Sequence, residues 1–178
     1  MSDSPSEETV TETPDDSGES GASTEQERVF LLLIDESEEF EVALRFACGR
    51  ANNTGGRIAL MYVVPPAEFQ HWLGVGNLMQ QEGRETAEEM CRVVGERVQK
   101  RTGKMPIVYI REGKANEELT KLIEEEPQIS VLVLGASIAG NGPGPIVTHI
   151  VNEMSGNFRV PITIVPGGMT EEEIDHIT

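Results

Sequence analysis

The chain has 178 residues, 38% of them apolar, which is enough for one domain with a proper core and short for two. Acidic residues outnumber basic ones 31 to 14, for a net charge of −17. That sign repels phosphate backbones and anionic headgroups, so neither nucleic acid nor a membrane is an expected partner.

Residues 1–27 form an acidic leader of Ser, Thr, Glu, Asp, Gly and Pro, and up to Arg28 nine acids face that single base. With almost nothing apolar to bury, such a segment does not offset its own ordering entropy, so it reads as a disordered acidic tail. No apolar run reaches the ~20 residues of a membrane span, and an acidic start is the opposite of a secretory signal. A cytoplasmic setting is expected.

From residue 28 the hydrophobic pattern alternates between two kinds of segment. Val29 to Ile34 is a continuous apolar run ending at Asp35, as in a strand buried on both faces. After Ser37, a candidate N-cap, Phe40, Ala43, Leu44, Ala47, Cys48 and Ala51 fall on one helical face, and Gly55-Gly56 ends the helix. Ile58 to Val64 reads as a second strand, stopped by Pro65-Pro66. The loop that follows carries Phe69, His71, Trp72, Leu73 and Val75, too apolar to be wholly exposed. A helix over 78–101, a strand over 106–110, a turn at Arg111-Glu112-Gly113 and a helix over 115–125 come next. Strand four spans Ile129 to Leu134 and runs into Gly135. A loop of Gly140, Gly142, Pro143, Gly144 and Pro145 leads to a helix over 146–155, then strand five over 160–165. Residues 167–178 read as a polar C-terminal tail. Cys48 and Cys91, with no CxxC or Cys/His cluster, read as small core hydrophobes.

This alternation argues for one five-stranded parallel sheet with helices on both faces. Right-handed crossovers leave two orders open, 3-2-1-4-5 and 2-1-3-4-5. In the first, Asp35 and the loop after Gly135 flank a crevice at the topological switch point, where ligands bind.

The segment Leu33-Ile34-Asp35-Glu36-Ser37 with its Ala-rich helix, the strand ending Tyr62-Val63-Val64, the Val-Leu-Val-Leu-Gly of strand four and the closing Val160-Pro161-Ile162-Thr163-Ile164-Val165-Pro166 resemble the universal stress protein family over residues 28–166. The resemblance implies a Rossmann-like, adenine nucleotide alpha hydrolase-like sheet of order 3-2-1-4-5, a cytoplasmic setting and a homodimer. In one branch of the family, ATP or AMP is held without a demanding reaction. Strand 160–165 would be an apolar edge in that order, and pairing two copies through it would remove the edge.

The family's phosphate motif, Gly-x2-Gly-x9-Gly-(Ser/Thr), is matched at Gly135, whereas Ile138 stands at the second glycine and Thr148-His149 at the final pair. Side chains there are expected to obstruct the backbone approach to phosphate oxygens. Gly140, Gly142 and Gly144 offer either a substitute cradle, with Thr148 nearby, or a plain connector that needs positive φ. Asp35 stands where the family places an adenosine contact, or else caps the first helix. Val63 is either an apolar wall for adenine or core. His149 lines the crevice or is structural, and Trp72 lids the site, packs at a dimer face or anchors its loop.

No enzyme is expected. The chain has no Gly-Lys-(Ser/Thr) phosphate loop, no HExxH and no Gly-x-Ser-x-Gly elbow, and Arg111 and Pro166 occupy the places where a receiver domain needs Asp and Lys. Two functions remain: a stress-response sensor with a weak or altered ATP/AMP site, in which AMP binds nearly as well as ATP, or a dimeric interaction protein that has lost the nucleotide.

Overall fold

The computed structural model describes residues 27–66, 75–140, 142–154 and 158–178. The expected acidic tail up to residue 26 and the apolar loop with Phe69, His71 and Trp72 lie outside them. Chain order is β1 (Val29–Leu33), α1 (Glu38–Thr54), β2 (Arg57–Val64), α2 (Val75–Thr102), β3 (Ile107–Glu112), α3 (Ala115–Glu125), β4 (Ile129–Ala136), α4 (Pro145–His149) with a π-helical turn (Ile150–Met154), β5 (Ile162–Pro166) and α5 (Glu171–Ile177). The strands form one parallel sheet ordered β3-β2-β1-β4-β5. This decides between the two orders the sequence leaves open.

Every residue of central β1 is buried, because helices cover both faces. Phe30, Leu32 and Ile58 pack with Phe40, Leu44, Cys91, Val94 and Val98 of α1 and α2. Leu31, Leu33 and Met61 pack with Leu119, Leu122 and Ile123 of α3 and with Val147 and Ile150. Side chains alternate across a strand, so neighbouring β1 residues feed opposite cores. Both cysteines are buried, and burial pushes their thiols up to about 11, so they act as packing atoms rather than nucleophiles.

Ser37 caps α1, its Oγ accepting from Phe40 N at 3.1 Å. The six residues assigned to the helix's inner face are its buried ones. Gly55 closes α1 at φ 68°, a left-handed cap for which glycine carries no Cβ penalty.

Five expectations need correction. β3 continues through Arg111 and Glu112, which pair with Val63 and Val64, so the turn begins at Gly113. α2 starts at Val75, earlier than expected. β5 starts at Ile162, since Pro161 has no N–H for the ladder and only its carbonyl serves, accepting from Leu132 N. Residues 167–178 are not a plain tail: α5 buries Ile174, and Arg45 of α1 pairs with Glu171 and Asp175. The helix expected over 146–155 is five α-helical residues followed by the π-helical turn.

Candidate functional site

A crevice of about 750 Å³ opens at the carboxyl ends of β1 and β4, lined by Asp35, Ser37, Glu39, Gly135, Ser137, Ala139, residues 142–149 and Asn152. β1 and β4 are neighbours whose crossovers leave in opposite directions, which opens a crevice at their carboxyl ends.

Asp35 is exposed at the crevice and is not itself the helix cap. Its Oδ1 accepts from Ser37 N at 3.0 Å and Ser37 Oγ at 2.5 Å, which orients the hydroxyl that caps α1. Gly135 has a packing reason of its own, for a Cβ there would lie 2.3 Å from the Glu39 carbonyl oxygen. The glycine lets α1 close onto β4.

The glycine-proline loop folds back on β4, with Ser137 N donating to Pro143 O at 3.2 Å. Gly140, Gly142 and Gly144 all have φ between 87° and 98°, a region that L side chains rarely adopt. Conformation alone therefore requires these glycines, as the connector reading holds. Gly142 and Gly144 line the crevice as well; Gly140 does not. Thr148 and His149 also line it, and His149 Nε2 meets Asn116 Nδ2 at 3.0 Å.

Two residues lie elsewhere. Val63 packs on the α3 side of the sheet and is not among the lining residues. Ile138, expected to obstruct the phosphate approach, is 69% exposed and also outside the lining. Its side chain extends toward Gly168, where a Cβ would meet Ile138 Cδ1 at 3.4 Å. Ile138 therefore does not obstruct the crevice, whereas Thr148 and His149 stand in its wall.

Sequence reasoning missed Glu39, Ser137 and Asn152. The Ser137 hydroxyl bonds to the Glu39 carboxylate and, with the residue's own backbone N–H, holds it below the usual carboxylate range. Glu39 is therefore an anion at neutral pH. Among the described lining residues there is no Lys or Arg. Electrostatically the crevice holds two carboxylates beside hydroxyls, backbone and one imidazole, a poor host for clustered negative charge.

The fold and crevice define a Rossmann-like domain of the adenine nucleotide alpha hydrolase-like kind. The model of the universal stress protein family matches residues 27–166, and the chain belongs to that family. Among solved structures it is similar to the universal stress protein UspA from Lactobacillus plantarum, with a TM-score of 0.64 and 15% identity, covering 79% of this chain and 98% of that one. It is also similar to a universal stress protein from Archaeoglobus fulgidus in complex with dAMP, with a TM-score of 0.55 and 15% identity over 78% of this chain and 98% of that one. A third is a universal stress protein family protein from Arabidopsis thaliana with AMP bound, with a TM-score of 0.55 and 12% identity, covering 78% and 91%. At these identities the likeness is one of fold. No curated protein sequence matches the chain.

Proposed function

We propose that the protein is a stress-response binding protein whose crevice holds the adenosine part of an adenine nucleotide, AMP or ATP, without turning it over. The observation that carries this reading is the crevice at the β1/β4 switch point, with Asp35 at its edge. Its volume of about 750 Å³ lies in the range of small-molecule sites. A carboxylate has about four lone-pair positions, so Asp35 keeps acceptor capacity for a ribose hydroxyl beyond its bonds to Ser37. The relatives carrying AMP and dAMP support the ligand class. The absence of catalytic motifs from the sequence supports holding over turnover.

Titration calorimetry with AMP and ATP tests the reading, alongside a mass spectrum of natively purified protein for a retained nucleotide. AMP should bind at least nearly as well as ATP, with no phosphate release. If neither nucleotide binds, the second reading takes over, a homodimeric interaction protein working through β5, and exposed Ile164 on that edge strand favours it.

A further inference from the structure

We propose that Glu39 is the specificity-determining residue of the crevice: a fixed carboxylate at the root of the glycine-proline loop, it admits adenosine and turns away polyphosphates. The proposal rests on the adenine-nucleotide reading above.

Three strands of geometry carry it. First, the chain is cut back on two sides to seat this residue. A Cβ at Gly135 would lie 2.3 Å from the Glu39 carbonyl oxygen, and one at Gly167 would lie 2.5 Å from Glu39 Cγ. The ends of β4 and β5 thus both carry glycine where Glu39 sits, and its position is fixed by packing. Second, the side chain stands at the loop. Ser137 lines the crevice with it and opens the segment that returns through Pro143 to Gly142 and Gly144, which line the same crevice. Third, its charge meets no lysine or arginine among the described lining residues. A helix N-terminus attracts anions through its free N–H groups and dipole. In α1 that end already carries Glu39 in its first turn, so an incoming phosphate finds the place taken by a like charge.

A role confined to the helix end would make Glu39 a minor contributor to stability, indifferent to ligand charge. Titration calorimetry of the full chain with adenosine, AMP and ATP in EDTA separates the two, using wild type, Glu39→Gln and, as control, the exposed Glu36→Gln, which does not line the crevice. Wild type should bind ATP at least about tenfold more weakly than adenosine, the scale of one like-charge contact in a partly solvated site. Glu39→Gln should bring ATP to within about threefold of adenosine while leaving adenosine within about twofold of wild type. Raising the salt should narrow the wild-type gap more than that of the variant, in which Asp35 is the one carboxylate left among the described lining residues. Glu39→Met serves as a second neutral variant if Glu39→Gln unfolds. An ATP-to-adenosine ratio unchanged in both neutral variants, or all three ligands shifting together, overturns the role of Glu39 and leaves the nucleotide reading standing. Failure of every ligand to bind wild type and variants overturns both.

Discussion

Gly135 illustrates how one residue satisfies a binding motif and a packing demand at once. It matches the first glycine of the phosphate motif, yet the Glu39 carbonyl oxygen would lie 2.3 Å from any Cβ added there, and backbone cannot swing aside. Gly135→Ala should therefore cost about 2 kcal/mol of stability or more, measurable by denaturant unfolding without ligand; an unaffected midpoint would show that α1 shifts freely. Thr148-His149 and Ile138 also separate by test. Ile138→Gly should leave ATP binding unchanged because that side chain lies outside the crevice. His149→Ser should tighten ATP severalfold by clearing space beside the loop, and a calorimetric result in the opposite order would restore the obstruction at Ile138. Of the site, the sequence shows Asp35, Gly135, Gly142, Gly144, Thr148 and His149, because strand ends and glycines mark loops. It does not show Glu39, which in sequence is one acid among Glu36, Glu38, Glu39 and Glu41. Only the approach of β4 and β5 sets it apart.

The elements most readable from sequence are those whose two periodicities do not compete. α1 is the clearest case, since its cap, inner face and terminating glycine are each written in residue types. α2 begins at Val75, one residue before Gly76, whose low helix propensity points to a start further along the chain. The break of α4 into a π-helical turn leaves no periodic trace over so short a span. α5 hides for another reason: Ile174 is its one buried residue. Its start is nonetheless signalled by Thr170 and Glu173, three apart, which form a capping box. The anchoring of α5 should divide unequally between apolar and ionic contacts. Ile174→Ala removes its buried side chain and should cost about 2–4 kcal/mol of local stability, seen as faster amide exchange across α5. The ionic part depends on acid. Arg45 holds the Asp175 carboxyl below its ordinary value, so the pair stabilises above the unfolded-state pKa and the contribution is lost as pH falls through the lowered folded-state value. Exchange in α5 should therefore rise in acid for wild type and be less pH-dependent in Arg45→Met.

At the scale of the whole molecule, the open question is what covers the sheet's two edges, β3 and β5. An edge strand invites pairing unless charge, proline or a covering element blunts it. β3 ends in Arg111 and Glu112, and Arg111 is tied to Glu125 of α3, so charge guards that edge. β5, Ile-Thr-Ile-Val-Pro, has no charged residue, and Ile164 is 39% exposed. The prolines at 161 and 166 restrict where a partner can pair rather than forbidding it, leaving a ladder centred on Thr163 to Val165. A ladder that short cannot by itself bury the roughly 1,600 Å² of a stable interface. A homodimer through β5 must therefore recruit neighbouring apolar surface, and Val151 of the π-helical turn, 48% exposed, is a candidate. Wild type should be a dimer in light scattering, and Ile164→Lys should give a folded monomer, because two copies related by a twofold axis bring like charges together at the centre. Val151→Lys should weaken the dimer without abolishing it. Val108→Lys on the β3 edge, where Val108 is 44% exposed, should have no effect. If Val108→Lys dissociates the dimer and Ile164→Lys does not, the charged edge is the interface, and the absence of charge in β5 has to be explained by something other than self-association.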